Sequence, residues 1–213
     1  MRVGLSTASH LALLPSALDR FRARFPNITL KIQEGLFPAV ENALEDGALD
    51  FYAGPLAETP PPQAFVVERL FDNGRRVFCR KGHRLADARS LADLGDAEWI
   101  STTLTSRDRA ELLPLFAALD LPQPRIALHA ASALSMVLAA AYSDLLVLLP
   151  EQWLDSPLTR DLLACVPVRE VLPGAPICIV RRARLPLTPA AEFLSDMLRR
   201  SAANRPAFAG ARA

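Results

Sequence analysis

The 213-residue sequence is first notable for what it has little of. It contains three cysteines, Cys79, Cys165 and Cys178, without C-x-x-C spacing, and because their number is odd no disulfide framework is expected. This usage is typical of a reducing compartment and predicts a cytoplasmic location. The formal net charge is only +1, which gives no strong field to attract nucleic acid or an anionic membrane.

Sequence motifs for catalysis are also absent. The chain has no G-x-S-x-G, no Walker loop, no G-x-G-x-x-G and no H-E-x-x-H. Its three histidines, His10, His83 and His129, lie far apart and lack neighbours at ligand spacing. We therefore expect no enzymatic activity, no cofactor and no metal site.

A long apolar run spans residues 130–150, but serines, Tyr142 and Asp144 interrupt it, so a membrane span is not expected. With 51% hydrophobic residues, the chain can still bury a substantial core. It can do so as one large domain or as two small lobes.

The first fifty residues alternate short apolar strands with amphipathic helical patterns. Strands are predicted at 3–5, 28–32 and 49–53, with a helix between each pair. Pro15 fits only near a helix start, so regular helix is predicted from about His10 onward. In such a βαβαβ unit the carboxyl ends of the strands share one edge, where ligands of open α/β sheets bind. Residues 6–10, 35–38 and 53–55 should therefore lie along that edge.

The remaining sequence predicts a second lobe of the same kind. We place a surface linker at 58–62, a turn at Asp72-Asn73-Gly74 and a closing helix at 189–200. The other predicted strands are 65–70, 75–80, 99–101, 126–129, 145–149 and 177–180, and the other predicted helices are 109–119 and 132–141. The first lobe would comprise residues 1–72 and 176–201, and the second lobe residues 73–175. Residues 202–213, after the first lobe's last segment, would form a disordered tail.

A set of landmarks spread over nearly the whole chain carries a family resemblance. In order, these are Leu14-Pro15, Leu18, Phe21, Phe25-Pro26, Glu34-Gly35, Leu44, Gly47-Ala48-Leu49-Asp50, Leu70, the run from Lys81 to Ala86, Leu91, Asp93-Leu94, the run from Leu187 to Ala191, and Phe193. Their order and spacing resemble the effector-binding domain of LysR-type transcriptional regulators. The resemblance implies an α/β fold of two Rossmann-like lobes joined by two crossover strands, of the type II periplasmic-binding-protein kind.

The resemblance also implies an effector site between the lobes. Ser6 and Ser9 would flank the effector, Ser101 and Thr102 would face it, and Ser132 would start a helix that caps it. Ala8, Gly54 and Pro55 depart from members that offer a hydroxyl at those loops. The complete expected set is Ser6, Thr7, Ser9, His10, Gly35, Phe37, Pro38, Gly54, Ser101, Thr102, Thr103, Ser132 and Leu148.

The residue types in this set suit a small organic anion. Hydroxyls and free N–H groups at helix starts can bind an aromatic carboxylate, a sulfonate or a sugar acid. Two alternatives stay open, because helix-start hydroxyls are commonly N-caps and the apolar residues Phe37, Pro38, Leu148 and Pro150 can be either a ligand wall or ordinary core. His10 can likewise be an anion contact or a surface histidine.

Partners follow from the same resemblance. The family pairs its sensor domains side by side and antiparallel, so a homodimer or homotetramer is expected, with the helix at 11–25 near the helix at 109–119 of the partner. DNA would be contacted only through an N-terminal helix-turn-helix, which this sequence lacks, and no membrane contact is expected.

The short basic run at 181–184 is interpreted as a solvated strand end. The alternative function is a solute-binding protein of a transport system with the same bilobal fold.

Overall fold

The structure is a computed structural model, and it describes residues 1–37, 39–56, 64–102 and 112–205. The chain forms two compact units. Unit 1 comprises Met1–Asn73 and Gly174–Ala213, and unit 2 comprises Gly74–Pro173. Strand β4, Phe65–Arg80, carries the chain from unit 1 into unit 2, and strand β9, Pro173–Arg182, brings it back. The predicted pair of crossover strands is thereby confirmed.

Unit 1 is a twisted sheet with helices on both faces. Its elements are β1 (Arg2–Leu5), α1 (Thr7–Ala12), α2 (Leu14–Arg24), β2 (Lys31–Glu34), α3 (Glu41–Glu45), β3 (Phe51–Pro55), the first part of β4, β9 and α6 (Pro189–Ala203). Strand order is β2-β1-β3-β9-β4, with β1 parallel to β2 and β3 and β9 antiparallel to β3. Because strand side chains alternate, Phe51 joins the core under α1, α2 and α6 while Tyr52 joins the core under α3.

Unit 2 repeats this design with a second core. Its elements are the rest of β4, β5 (Glu98–Thr102), α4 (Leu112–Ala118), β6 (Arg125–Ala130), α5 (Ala133–Ala141), β7 (Leu146–Pro150) and β8 (Leu163–Val166), with 3₁₀ turns at Leu91–Leu94 and Glu151–Trp153. Strand order is β6-β5-β7-β4, and β8 pairs with β4. Trp99 and Phe116 meet edge to face in the core, 5.7 Å between ring centroids.

Several predicted boundaries are wrong, and each has a physical reason. Helix begins at Thr7 instead of about His10, because the chain breaks at Leu13 and Pro15 then falls in the first turn of a new helix, where no N–H is needed. The predicted strand at 28–32 is Lys31–Glu34, because Lys31 pairs with Arg2.

The largest correction is at Asp72-Asn73-Gly74, which forms no turn. These residues continue the 16-residue strand β4, since strand pairing outweighs the local turn preference. Strand β8 was not predicted at all. Helix α6 extends to Ala203, so a disordered tail does not begin at 202. Three predicted segments lie outside the described residues: the linker at 58–62, residues 109–111 of the predicted helix, and residues 206–213 of the tail.

Arg182 corrects the interpretation of the basic run as a solvated strand end. Its half-buried guanidinium donates from Nη1 to the carbonyls of Leu44 (2.5 Å) and Leu49 (2.9 Å). Leu44 lies in the last turn of α3, and its carbonyl also accepts from Gly47 N (3.3 Å). Between them Gly47 turns the chain at φ +77°. Arg182 therefore fastens the α3–β3 turn to β9.

We expect Arg182→Ala to lower the free energy of unfolding by about 2 kcal/mol or more, because it removes two hydrogen bonds from a charged donor. Urea denaturation measures this change. Arg181→Ala is the matched control, since Arg181 makes no side-chain hydrogen bond to the described residues, and its effect should stay within about 0.5 kcal/mol. Equal effects of the two substitutions would contradict the role given to Arg182.

Candidate functional site

In unit 1 the parallel strands β1, β2 and β3 end along one edge of the sheet, here called its carboxyl edge. Ser6 donates its N–H to Ala53 O (3.0 Å), and Gly35 donates to Leu5 O (3.2 Å), so the segments that follow the three strands stay together. The sequence-predicted residues Ser6, Thr7, Gly35 and Phe37 lie on these segments, and Gly54 lies near the end of β3 itself.

The hydroxyls of Ser6 and Ser9 are buried and used within the protein. Ser6 Oγ accepts from Ser9 N (3.2 Å) and donates to Ser9 Oγ (3.1 Å), which makes Ser6 the N-cap of α1. At this position the N-cap alternative accounts for both side chains. Their role is to hold the loop after β1 in shape.

Thr7 and His10 also have protein partners. Thr7 Oγ1 donates to Glu34 Oε1 (2.6 Å), so the side-chain carboxylate of Glu34 lies where the parallel strands of unit 1 end. His10 Nδ1 donates to the Ser6 carbonyl (2.9 Å). The carboxylate of Glu34 disfavours an anion beside Thr7, so in unit 1 these side chains alone make a weak anion site.

Tyr52, which sequence reasoning overlooked, organises the next loop. Its hydroxyl donates to Pro55 O (3.4 Å) and accepts from Phe37 N (3.4 Å), and burial raises the pKa of this phenol. Phe37 packs on the Tyr52 ring and meets Phe65 edge to face. A Cβ on Gly54 would lie 2.1 Å from Tyr52 Oη, so glycine is required there for packing. In the sequence, the aromatic residue two positions before Gly54 is the signal that could have indicated this contact.

In unit 2 the parallel strands β5, β6 and β7 form a second carboxyl edge. Ser101 and Thr102 end β5, where they pair with His129 and Ala130 of β6. Both are half-buried, and neither side chain makes a hydrogen bond to the residues that the structure describes. Their hydroxyls therefore differ from the bonded pair of Ser6 and Ser9 in being available to a ligand.

Ser132 follows β6 at the same edge. Its Oγ accepts from Ser135 N (3.1 Å) and lies 2.8 Å from Ser135 Oγ, so it is the N-cap of α5, in agreement with its predicted place at a helix start. Leu148 is buried and belongs to the core of unit 2. Pro38 and Thr103 lie outside the described residues.

The thiols offer little nucleophilic character. Burial raises the pKa of Cys79 to about 11 and also raises the pKa values of Cys165 and Cys178. Within the described residues there is no group of three or more His, Cys, Asp or Glu side chains that could hold a metal ion. In the same residues no helix is long and apolar enough to cross a bilayer.

Comparison with known proteins gives a family match over almost the whole chain. Residues 1–203 match the LysR substrate binding domain. Among curated proteins, the chain is similar to the HTH-type transcriptional regulator GalR of Pseudomonas putida, with 29% identity over 125 residues, 58% of this chain and 32% of that protein. The chain spans less than two thirds of the length of the curated relatives it matches.

Solved structures agree on the fold. The Synechocystis CcmR regulatory domain in complex with 2-PG has a TM-score of 0.80 at 20% identity, covering 97% of this chain and 99% of that chain. The effector-binding domain of QuiR in complex with shikimate has a TM-score of 0.78 at 19% identity, covering 95% and 96%. The expected α/β fold of the type II periplasmic-binding-protein kind is confirmed.

We expect Gly54→Ala to destabilise the protein by about 1–3 kcal/mol, because the new methyl group overlaps the Tyr52 hydroxyl. Gly95→Ala is the control, since a Cβ there meets its nearest neighbour at 3.6 Å and its φ is −55°. Thermal or urea unfolding of both variants compares them. A Gly54→Ala protein as stable as the control would show that Tyr52 yields easily and that the loop is not held by this contact.

Proposed function

The chain belongs to the LysR substrate-binding domain family, and from that membership we propose that it senses a small organic anion on behalf of a transcriptional regulator. The match over residues 1–203 is the observation that carries this proposal. It supports the sensor over the alternative of a transport-associated solute-binding protein. The sensor would act in the cytoplasm, and DNA would be contacted by a helix-turn-helix elsewhere in the regulator.

The candidate anchors for the anion are strongest in unit 2. Ser101 and Thr102 offer hydroxyls that the described residues leave unbonded, at the carboxyl edge where ligands of α/β sheets bind. In unit 1, Ser6 and Ser9 shape the loop after β1, and Phe37 offers a half-buried aromatic face. We propose that an aromatic carboxylate, a sulfonate or a sugar acid binds with Ser101 and Thr102 of unit 2 as its hydroxyl anchors.

The proposed signal is a change of conformational population. No bond is made or broken, so the effector alters the regulator only by binding one arrangement of the domain more tightly than another. Relatives with bound 2-PG and shikimate support a small acid as the ligand class. A thermal-shift screen of aromatic carboxylates, sulfonates and sugar acids tests the proposal, because a bound ligand raises the melting temperature.

A second copy of the chain is the partner that the exposed surfaces favour. Helix α5 exposes a stripe at i, i+4 and i+8, Leu134 (68% exposed), Leu138 and Tyr142 (79% exposed), and it contains no charged residue. Apolar, uncharged centres are typical of protein interfaces. Helix α4, by contrast, buries Leu112 and Phe116. We therefore propose α5, in place of the helix at 109–119, as the second-lobe contact.

Unit 1 offers a complementary surface. A groove of about 370 Å³ between α2 and the edge strand β2 is lined by Leu18, Phe25, Ile28 and Ile32, among others. Ile28 and Ile32 are each exposed, and β2 has one unpaired edge. We propose that α5 of one protomer packs on this α2–β2 groove of its partner, and that the two-fold axis repeats the contact.

We expect Ser101→Ala and Thr102→Val to weaken the binding of any acid found in the screen by roughly ten- to a hundredfold each, the worth of a hydrogen bond to a charged group. The melting temperature without ligand should hardly change. Ser6→Ala is the contrasting variant: it should lower the stability by about 1 kcal/mol, because it removes an N-cap. Calorimetric titration and urea unfolding measure the two quantities. Unchanged affinity in both unit 2 variants would reject these residues as anchors.

We expect the wild-type chain to be dimeric in light scattering at tens of micromolar, roughly the range in which modest interfaces form. Leu138→Glu should give monomers, since it places a charge in the apolar stripe of α5. Leu158→Glu is the control, because Leu158 is also an exposed leucine of unit 2 but lies outside α5. A monomeric wild-type chain, or an equal effect of both substitutions, contradicts the proposed interface.

A further inference from the structure

Gln152 carries a side-chain amide that unit 2 buries and does not pair. It lies in the 3₁₀ turn Glu151–Trp153 that follows β7, and only 9% of its surface is exposed. Neither Nε2 nor Oε1 has a hydrogen-bond partner among the described residues. Burying an amide without a partner costs about 1–3 kcal/mol by protein mutational data, and such groups are rare in native proteins. Folding alone therefore gives no reason for a glutamine here.

The position of Gln152 connects it with the candidate anion site. Strand β7 runs parallel to β5, with Trp99 level with Leu146 and Ile100 level with Val147. Continuing this register sets Thr102 level with Leu149, three residues before Gln152. Gln152 therefore follows β7 at the carboxyl edge of unit 2, one strand away from Ser101 and Thr102.

The turn that carries Gln152 is firmly held. Leu154 N donates to Glu151 O (2.9 Å), and Thr159 Oγ1 donates to Trp153 O (2.9 Å). On the other side Glu151 packs against Gly74 of β4, where a Cβ would lie 2.4 Å from its Oε2. The backbone at Gln152 is thus held in place while its side chain is buried, as a residue that orients a ligand requires.

The chemistry of the amide selects its partner. A primary amide both donates and accepts, and a neutral hydroxyl group does the same, so the two can satisfy each other. A carboxylate only accepts, and it would leave Oε1 unpaired beside negative oxygens. Gln152 therefore suits a neutral polar group of the ligand, while Ser101 and Thr102 suit its acid group.

We propose that Gln152 binds a hydroxyl group of the effector, so that the effector is a hydroxylated organic acid and not an acid with a purely apolar body. This inference rests on the proposed function and narrows its substrate class. Gln152 then determines specificity, because a buried group left unpaired by the wrong ligand penalises that ligand.

A first experiment asks whether the amide is unpaired within the protein. Gln152→Met keeps the size of the side chain and removes the amide, so the melting temperature without ligand should stay unchanged or rise. Thr159→Val is the control: Thr159 is also buried in the same unit but donates a hydrogen bond, so the loss of that bond should lower the melting temperature. A fall in Gln152→Met equal to that of Thr159→Val would overturn the proposal, because the amide would then have a structural role.

A second experiment compares acids that differ in hydroxyl groups, using benzoate against 4-hydroxybenzoate and cyclohex-1-enecarboxylate against shikimate as probes. The wild-type chain should bind the hydroxylated member of at least one pair about tenfold more tightly, and Gln152→Met should reduce that preference three- to tenfold. Ser101→Ala should weaken both members of that pair alike, since it contacts the acid group they share.

The outcomes separate the two proposals. If the wild-type chain binds these acids without preference for hydroxyl groups, or if Gln152→Met keeps the preference, the inference about Gln152 is wrong while the proposed sensor function stands. If the wild-type chain binds no acid of this set or of the wider screen, the proposed function is wrong and the inference is overturned with it.

Discussion

The continuous pairing of β4 is the constraint on which the rest of the structure depends. This one strand of 16 residues supplies a strand to the sheet of each unit, beside β9 in the first and beside β7 and β8 in the second. Its backbone donors and acceptors must be paired along both stretches, since an unpaired buried amide is costly. That requirement holds Asp72, Asn73 and Gly74 in extended conformation despite their strong turn preference.

The polar side chains at the two carboxyl edges differ in whether they are hydrogen-bonded within the protein, and this difference indicates different roles. Ser6, Ser9 and Thr7 have partners within unit 1 and therefore shape its loops. Ser101, Thr102 and Gln152 have no such partners among the described residues of unit 2. Because buried or half-buried polar groups gain most from a bound partner, we propose that ligand recognition centres on unit 2.

Binding of an effector and association of two copies of the chain would be linked in the proposed sensor. In the proposed sensor, an effector acts through differences in binding energy between conformations. A dimer contact through α5 and the α2–β2 groove would involve elements of both units, so a ligand that changes either unit could alter how two copies pack. The apolar stripe of α5 comes directly after the Ser132 cap at the carboxyl edge, so it would connect the proposed ligand site with the proposed interface by a short path.

The sequence by itself determined the fold class and most of the order of elements, β8 and the continuity of β4 excepted, because the alternation of apolar periodicities and the family landmarks are local signals. It also placed Ser101, Thr102 and Ser132 at strand ends and helix starts, where they lie. Tertiary structure decided what local patterns do not contain: that Asp72-Asn73-Gly74 stays extended, that Arg182 bonds the Leu44 and Leu49 carbonyls, and that Tyr52 requires Gly54. It also decided that the Gln152 amide is buried without a partner, because burial and pairing depend on chain segments far apart in sequence.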